Sequence, residues 1–304
     1  MNAEQMVVLA GKDHLEKARQ TWGDSFLPVE RWPDEIDEGT QLMAQHSHQG
    51  RHGFLLFGGD ELVGEVVTAY WRRSDLAARP LCFWPLAVEG GLVARACGST
   101  DSTSRAVRMV RRGVDRWRRQ QLATLKVTAS VEGAAWYGFS FASGWVYRAF
   151  EARRHAEGGA TNLVSAFGKL ASETLGEDQR GPVALRVAVD HRPSENRSGS
   201  MVISTLERSY FGLGTAGQGP MVWEGMAAST LMRKAVTPEL LESSRRRGRP
   251  FEVVHLDTPQ GWLLDGRLHE SERPGVVQIA PGPMVTFLCP DQGLGAKVRN
   301  ILSR

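Results

Sequence analysis

One stretch of the sequence, Leu55-Leu56-Phe57-Gly58-Gly59-Asp60-Glu61-Leu62-Val63-Gly64-Glu65-Val66-Val67, does most to decide the fold. It places two glycines and an aspartate directly after a buried apolar strand and before a segment with helical character. Ligands of open α/β sheets bind at the carboxyl ends of strands, where glycines let backbone N–H groups approach phosphate oxygens closely. Gly58, Gly59 and Asp60 are therefore the first candidate site, and an ordinary glycine turn is the alternative.

The first half of the chain alternates between short apolar runs and helical segments. This β-α-β-α rhythm is typical of a parallel sheet that is covered on both faces. Strands are predicted at Met6–Ala10, Phe26–Trp32, Gly53–Phe57 and Pro80–Pro85, and helices at His14–Gln20, Asp37–Gln45 and Glu65–Trp71.

The second half has a different pattern, in which short alternating runs are separated by Gly, Pro and Asp clusters. Such runs indicate an antiparallel sandwich or barrel. We therefore predict an α/β nucleotide-binding domain over residues 1–125, a β-sandwich lipid-binding domain over 126–290 and a tail over 291–304. The runs lie at Leu125–Val131, Val183–Val189, Phe251–Leu256, Trp262–Leu264, Val276–Ile279 and Met284–Leu288, with one helix at Leu163–Leu175.

Composition excludes several classes of protein. With 304 residues, 41% hydrophobic and 23% charged, the chain has the length of about two domains and ordinary globular usage. No apolar run approaches the ~20 residues that span a bilayer, and the N-terminal residues lack a signal-peptide pattern. Three cysteines without short-range pairing argue against a disulfide scaffold or a zinc site. We therefore expect a cytoplasmic protein.

Arginine is concentrated in two places, although the net charge is only +3. One interpretation is a solvated helix face and a solvated loop. The other is a surface that contacts anionic lipid headgroups, so that the protein associates peripherally with the membrane. Nucleic-acid binding is not expected, because no recognised module or interleaved aromatic residue accompanies the basic residues. The clusters are Arg105, Arg108, Arg111, Arg112, Arg116, Arg118 and Arg119, and Arg245, Arg246, Arg247 and Arg249.

The stretch around Gly58 resembles the nucleotide loop of the diacylglycerol kinase, sphingosine kinase and ceramide kinase superfamily. That loop usually has Gly-Gly-Asp-Gly-(Thr/Leu/Met), two variable residues and Glu-Val. Here Glu61 replaces the last glycine, and Glu65-Val66 keeps the Glu-Val pair. Leu62 resembles the Leu or Met that the sphingoid-lipid kinases carry at this position, whereas diacylglycerol kinases carry Thr.

Further matches follow in the family's order, and the resemblance extends roughly from Gly53 to Pro290. Asp265-Gly266-Arg267 stands where the family has Asp-Gly-Glu. The other segments are Pro85-Leu86, Gly98-Ser99-Thr100-Asp101-Ser102-Thr103-Ser104-Arg105-Ala106-Val107, Phe211-Gly212-Leu213-Gly214 and Glu224-Gly225.

The resemblance implies a fold like that of the NAD kinases and diacylglycerol kinases, with an active site in the cleft between its two domains. It implies ATP and Mg²⁺ as cofactors, and Asp60 and Asp265 as catalytic residues and metal ligands, with base and ligand roles unassigned between them. The residues implied to bind the nucleotide are Gly58, Gly59, Asp60, Glu65, Gly11, Lys12 and Thr100. An ordinary exposed lysine is the alternative interpretation of Lys12.

Two hypotheses about function follow. The first is a lipid kinase that phosphorylates ceramide or a related long-chain alcohol, with diacylglycerol as the alternative acceptor. The second is a degenerate, non-catalytic member that binds nucleotide or lipid and acts through a partner. Glu61, Ala87 and Arg267, where the family has Gly, Gly and Glu, favour the second hypothesis.

Two other groups of residues are given structural interpretations. His46, His48 and His52 are expected in a polar loop rather than in a zinc site, which would need further ligands. The aromatic stretch from Trp136 to Tyr147 is expected to fill the core of the second domain, and a wall for acyl chains is the functional alternative.

Overall fold

The computed structural model describes residues 3–23, 27–88, 91–99, 103–114, 117–130, 133–155, 185–193, 199–207, 219–224, 248–258, 261–270 and 275–289. These residues form two compact units. The first unit contains the chain up to Leu122 and again from Met284 on, and the second runs over Ala123–Pro283. The first division lies near the predicted boundary at residue 125. The return of the chain to the first unit was not predicted.

In the ranges that the structure describes, the first unit combines six α-helices with four strands of its own. Its helices are α1 Leu15–Trp22, α2 Ile36–His48, α3 Asp60–Arg72, α4 Ser74–Ala77, α5 Leu92–Ala96 and α6 Thr103–Arg111, with short 3-10 turns at Ala3–Gln5 and Lys12–His14. Its strands are β1 Met6–Ala10, β2 Val29–Arg31, β3 Gly53–Gly58 and β4 Cys82–Ala87.

The second unit is built mainly from strands, and two long strands have residues in both units. The shared strands are β5 Arg118–Ala129 and β16 Gly275–Cys289. The other elements are β6 Ala135–Gly138, β7 Ser140–Gly144, α7 Trp145–His155, β8 Arg186–Val189, β9 Arg192–Pro193, β10 Ser200–Ser204, β11 Met221–Trp223, β12 Arg249–Pro250, β13 Val254–Thr258, β14 Trp262–Leu264 and β15 Arg267–His269.

The sheet of the first unit is parallel, with the order β2-β1-β3-β4. The last part of β16 adds to β4 in parallel, with Phe287 opposite Phe83. Every residue of β1 and β3 is buried. One face packs against α1 and α6 through Trp22 and Val110, and the aromatic ring of Tyr70 from α3 contacts Phe83. The predicted parallel sheet covered on both faces is confirmed.

The second unit is a sandwich of two sheets. One has the order β12-β11-β10-β7-β14-β15, and its pairs are antiparallel. The other contains β13 between β8 and the first part of β16, with β5 paired to β6. The apolar core draws on both, with Phe141 and Ile203 from the first sheet and Val127 and Val254 from the second. The predicted combination of an α/β domain and a β-sandwich is confirmed.

The structure corrects two predicted elements. The runs Val276–Ile279 and Met284–Leu288 belong to the single strand β16, although Pro281 and Pro283 lie between them. Pro281 is exposed, and the Pro283 carbonyl accepts a hydrogen bond from Thr124 Oγ1 at 2.7 Å. The missing proline N–H groups therefore do not end the strand.

The second correction concerns the histidines before β3. His46 and His48 belong to the last turn of α2 and not to a loop. His46 is buried, and its Nδ1 lies 2.6 Å from Arg51 Nη1. Burial, followed by the charge of Arg51, lowers the pKa of His46. This local contact, together with the long-range contacts of Arg79 with Ser47 and His48, extends the helix through a polar stretch.

Several predicted elements lie outside the described residues. They are the helix at Leu163–Leu175, the Phe211–Gly214 segment, Gly225, Arg116, Arg245–Arg247 and the tail over 291–304. Among the helices of the described ranges, none is both long and apolar enough to cross a bilayer.

Candidate functional site

The candidate site in the first unit lies at the carboxyl edge of the parallel sheet. β1 and β3 are neighbours, with Ala10 opposite Phe57, so Gly11 and Gly58 follow the two strands at the same edge. The Gly11 N–H donates to the Phe57 carbonyl at 3.2 Å. The structure therefore brings together Gly11, Lys12, Gly58, Gly59 and Asp60, which we call the carboxyl edge.

The N-terminus of α3 belongs to this edge. Gly59 is the N-cap residue and makes no side-chain cap hydrogen bond, and the first helical bond runs from Val63 N–H to the Gly59 carbonyl. A helix N-terminus carries partial positive charge and favours anions such as phosphate. However, Asp60 and the exposed Glu61 both lie in the first turn and add negative charge there.

The Asp60 carboxylate accepts hydrogen bonds from the backbone of the segment that follows the next strand, β4. Its Oδ2 accepts from Leu92 N–H at 2.7 Å and its Oδ1 from Val93 N–H at 3.1 Å. These groups begin α5, whose orphan N–H donors need an acceptor. Gly91 is required beside them, because a Cβ there would lie 2.6 Å from Asp60 Oδ1. We call this arrangement the Asp60 clasp. It joins the ends of β3 and β4.

The protonation of Asp60 is set mainly by its surroundings. Burial of the carboxylate raises its pKa, and this outweighs the opposing effects of the Leu92 and Val93 hydrogen bonds and of the Arg95 charge. A carboxylate with a raised pKa is better suited to accept a proton near neutral pH. The same group can therefore stabilise α5 and act as a base.

The Asp60 clasp gives a testable prediction about Gly91. In the Gly91→Ala variant the added methyl group should displace the Asp60 carboxylate from the α5 N–H groups. We expect the free energy of unfolding to fall by about 1–3 kcal/mol, because buried donors lose their acceptor. The measurement is urea denaturation, with Gly11→Ala as the matched control. A Cβ at Gly11 would meet only His14 Cδ2 at 3.7 Å, so an equal loss in both variants would contradict the proposed contact.

The other residues that were predicted to bind the nucleotide, and Leu62 beside them, differ in burial and in their place in the fold. Lys12 is exposed in the 3-10 turn after β1, next to Gly11. Glu65 is partly buried in the second turn of α3. Leu62 is buried against Gly58, where a Cβ would lie 2.8 Å from Leu62 Cδ2, so this leucine serves packing. Thr100 lies outside the described residues.

Asp265 belongs to the second unit and has different partners. It forms the turn between β14 and β15 with Gly266, and φ is positive at both, +50° and +94°. This pair is typical of the type I′ hairpin. The side chain is 2% exposed. Its Oδ1 accepts from Phe139 N–H at 3.0 Å and from Ser140 N–H at 2.8 Å, and Oδ2 accepts from Phe139 N–H at 2.9 Å. The carboxylate therefore fixes the hairpin to the turn between β6 and β7.

Arg267, where the family resemblance expects glutamate, packs on an aromatic ring. Its guanidinium carbon lies 5.0 Å from the centre of the Trp136 ring, within the range of a cation–π interaction. The His269 ring stacks on Trp262 with 3.6 Å between centroids and meets Trp136 edge-on at 4.4 Å. Within the predicted aromatic stretch, Phe139, Phe141, Trp145 and Tyr147 are buried, as the core interpretation predicts.

The residues present fit a magnesium ion that is held mainly by other ligands. No three His, Cys, Asp or Glu side chains of the described segments gather closely enough to hold a metal. The Asp60 oxygens each accept one backbone hydrogen bond, and each retains a second lone pair. Magnesium usually binds through one or two carboxylates together with substrate phosphates and water. Asp60 could supply such a ligand.

The structure is similar to solved structures of kinases. A diacylglycerol kinase from Bacillus anthracis str. Sterne superposes with a TM-score of 0.56 and 15% identity, covering 95% of this chain and 98% of the other. Two further structures from the same strain, both assigned provisionally as diacylglycerol kinases, give TM-scores of 0.58 and 0.59. Their identity is 13%, and the alignments cover 95% and 94% of this chain and 98% and 97% of the others.

The chain has the fold of these diacylglycerol kinase structures. At this level of identity the similarity establishes the fold alone. No protein-family model matches the sequence, and no curated protein sequence matches it either.

Sequence reasoning missed the backbone partners of both aspartates. Leu92 and Val93 lie more than thirty residues after Asp60, and Phe139 lies far before Asp265 in the chain. The only signal in the sequence was the glycine pair Gly90-Gly91 after β4, which is consistent with a close approach at that point.

Proposed function

We propose that the protein is an ATP- and magnesium-dependent kinase that transfers the γ-phosphate to the primary hydroxyl of a long-chain lipid. The observation that carries the proposal is the carboxyl edge, where two glycine-containing loops, a lysine and a helix N-terminus adjoin Asp60. The fold shared with diacylglycerol kinase structures is consistent with this function.

The residues of the carboxyl edge have distinct proposed roles. Gly58 and Gly59 let the backbone approach the nucleotide phosphates, and the α3 N-terminus and Lys12 offset their negative charge. Bound magnesium would neutralise charge on the transferring phosphoryl group, with Asp60 and Asp265 as the proposed protein ligands. Asp60, whose pKa is raised by burial, is also proposed to take the hydroxyl proton of the acceptor. Asp265 is the second proposed catalytic carboxylate.

The identity of the lipid acceptor is proposed as ceramide or a related alcohol, with diacylglycerol as an equally supported alternative. Leu62 favoured ceramide in the sequence, but its side chain is buried against Gly58 and is not available to an acceptor. The solved structures with this fold are described as diacylglycerol kinases. The acceptor must therefore be determined by direct comparison.

A second candidate function is that of a non-catalytic protein that binds nucleotide or lipid. It is favoured by Glu61, which adds a carboxylate to the first turn of α3, where an anion is expected. It is also favoured by Asp60 and Asp265, whose oxygens all accept backbone hydrogen bonds. In this alternative both aspartates serve the fold.

One experiment separates the two functions. The protein is incubated with γ-labelled ATP and magnesium in the presence of ceramide, diacylglycerol or no lipid, and nucleotide binding is measured separately by calorimetry. Kinase function requires a labelled lipid, and the more rapidly labelled acceptor identifies the substrate class. Nucleotide binding without any labelled lipid would support the non-catalytic alternative, and the absence of both would reject nucleotide chemistry at the carboxyl edge.

We further propose that the protein contacts anionic membrane surfaces through α6. Arg105, Arg108, Arg111 and Arg112 are exposed, whereas Ala106 and Val110 of the same segment are buried in the core of the first unit. The second arginine cluster contributes less among the described residues, because Arg249 forms an ion pair with Glu224.

Vesicle sedimentation tests this membrane contact. The triple variant Arg105→Ala/Arg108→Ala/Arg111→Ala should bind anionic vesicles about 100-fold more weakly, because each basic residue near such a surface contributes on the order of 1 kcal/mol. Wild-type binding should also weaken with salt. The control is Arg31→Ala/Arg73→Ala, which removes two arginines that pair with Asp34 and Asp75. Equal binding to neutral and anionic vesicles would reject the electrostatic contact.

A further inference from the structure

The first unit contains a cavity at the edge of its sheet that lies opposite to the carboxyl edge. Cys82 and Gly53 pair at the starts of β4 and β3, whereas Asp60 follows the other end of β3. The volume of this cavity is about 460 Å³, and pockets that bind small organic ligands span roughly 300–1,000 Å³. We call it the amino-edge cavity. Its lining residues, all of the first unit, are Pro80, Leu81, Cys82, Arg119, Gln121 and Thr286.

Three strands contribute side chains to the same side of the sheet at this cavity. Because Phe287 of β16 pairs with Phe83 of β4, Thr286 lies beside Cys82. β5 also pairs with β16 and contributes Arg119 and Gln121. These two residues are two positions apart in the strand, so their side chains point to the same face. The polar side chains of the cavity are therefore mounted on strands and not on a loop.

The segment before β4 forms the opposite wall, and hydrogen bonds fix its backbone. The Arg79 carbonyl accepts from the Tyr70 hydroxyl at 3.0 Å and from Leu81 N–H at 2.8 Å. The Cys82 N–H donates to the His52 carbonyl at 2.9 Å. The wall therefore needs no ordering when a ligand binds, which lowers the entropic cost of binding.

The polar side chains of the cavity can donate hydrogen bonds to a ligand. Among the residues that the structure describes, the side chains of Arg119, Gln121 and Thr286 have no hydrogen bond or ion pair with another group. By contrast, Arg118 on the opposite face of β5 donates to Gln120 Oε1 at 2.9 Å. None of the six lining residues is acidic. A guanidinium, an amide and a hydroxyl thus face the cavity, and all three can donate to an oxyanion.

The same region also presents apolar surface. Pro80 is exposed at the wall, and Leu81 and Cys82 continue that wall inward. Met284 lies two positions before Thr286 in β16, so both side chains point to the same face of the strand. Its side chain is 48% exposed, although large apolar side chains are usually buried. Methionine is a flexible side chain that adapts its shape to apolar partners.

We propose that the amino-edge cavity binds a single-chain anionic amphiphile, which is a carboxylate or a phosphate monoester on an alkyl chain. The Arg119 guanidinium would bind the oxyanion, with Gln121 and Thr286 as further donors, and the chain would lie along Pro80 and Met284. The juxtaposition of a cationic group with an apolar wall in one preformed cavity carries this inference. It goes beyond the proposed kinase function and does not depend on it.

The test is calorimetric titration of the full chain with four probes below their micelle concentrations. The probes are octyl phosphate, octanoate, octanol and inorganic phosphate. We expect the two charged amphiphiles to bind at one saturable site, and the tighter of them identifies the head group. Octanol lacks the charge and inorganic phosphate lacks the chain, so each should bind at least about tenfold more weakly.

Three variants locate the site. Arg119→Ala should weaken binding of the tighter probe at least about tenfold, because hydrogen bonds to a charged group are lost. Arg118→Ala is the matched control, since it removes the same charge from the opposite face of β5, and it should change binding less than about twofold. Gln121→Trp should abolish binding by filling the cavity, and because position 121 is exposed the melting temperature should be retained.

Several results would overturn the proposal. Equal losses in Arg119→Ala and Arg118→Ala would show that only net charge matters. Competition of the probe with ATP would place it at the carboxyl edge instead. Unchanged binding in a folded Gln121→Trp protein, or no binding of either charged amphiphile at millimolar concentration, would also overturn it. If Gln121→Trp fails to fold, the comparison of Arg119→Ala with Arg118→Ala still decides.

Discussion

The Asp60→Asn variant should transfer phosphate to lipid at no more than about 1% of the wild-type rate, because loss of a positioned general base typically costs 10²–10⁴-fold. An asparagine at position 60 cannot take the hydroxyl proton, and it carries no charge for a metal. The measurement is labelled-lipid formation under saturating ATP. Glu38→Gln is the matched control, because Glu38 is an exposed acid in the first turn of another helix, α2. A near wild-type rate in Asp60→Asn would remove this residue from the mechanism.

The same variant has a second readout in its stability. The pKa of Asp60 is raised by burial, so the protonated group favours the folded state. That contribution is fully present below the pKa of an unfolded aspartate and is lost as the pH rises through the higher folded pKa. The free energy of unfolding of the wild type, relative to that of Asp60→Asn, should therefore decrease as the pH rises from the pKa of an unfolded aspartate to the higher pKa of folded Asp60. Urea denaturation at a series of pH values measures it, and an increase would contradict the direction of the shift.

The Asp265→Ala variant should lose about 3–5 kcal/mol of unfolding free energy, because it leaves two buried backbone donors without their acceptor. These donors are Phe139 N–H and Ser140 N–H. Alanine also adopts the positive φ of this turn poorly, whereas asparagine tolerates it. Asp265→Asn should therefore lose less, about 1–3 kcal/mol. Chemical denaturation measures both losses.

Asp190 provides a close control for this prediction. It also has a positive φ, +51°, and its carboxylate also accepts two backbone hydrogen bonds, from Glu252 and Val253. These bonds are exposed, so water can replace the carboxylate in Asp190→Ala, and the loss should be about 1 kcal/mol. Similar losses in the two alanine variants would show that burial of Asp265 is unimportant. A stable Asp265→Asn protein that transfers no phosphate would instead assign Asp265 a catalytic role.

The sequence was sufficient to predict a strand where the local pattern of apolar residues agrees with the tertiary environment. The apolar run before Gly58 is buried on both faces, so its strand was predictable from composition and spacing alone, whereas the helix after it begins at Asp60 and not at the predicted Glu65. Of the antiparallel strands of the second unit, β8 was likewise predictable from alternation, whereas the fully buried strands β7 and β10 were not predicted.

The sequence was insufficient to predict the extent of a helix or strand where contacts with a residue far along the chain stabilise its end. The last turn of α2 continues through polar residues because Arg51 and Arg79 contact His46, Ser47 and His48. β16 continues through two prolines because Thr124 binds the carbonyl of one of them. Arg79 and Thr124 lie far along the chain from the elements that they stabilise, so a local window of sequence does not contain them, whereas Arg51 is a local partner.

The candidate site shows the same limit. The position of Gly58, Gly59 and Asp60 at a strand end was predictable, because glycines after a buried strand indicate it. The clasp that Asp60 makes with Leu92 and Val93 was not, because a carboxylate has no sequence pattern that identifies its acceptor role. The family resemblance predicted Asp60 and Asp265 as site residues, but their hydrogen-bond partners are evident only in the structure.

The return of the chain to the first unit at Met284 has a consequence for biosynthesis. During translation, β4 emerges long before the segment that contains Phe287, which pairs with Phe83. Until then the nascent first unit has an unpaired strand edge rich in Phe and Trp, a surface that favours intermolecular strand pairing. Completion of this unit therefore waits for the segment that contains Phe287, and a fragment that ends near residue 125 should associate with chaperones more strongly than a chain that contains β16.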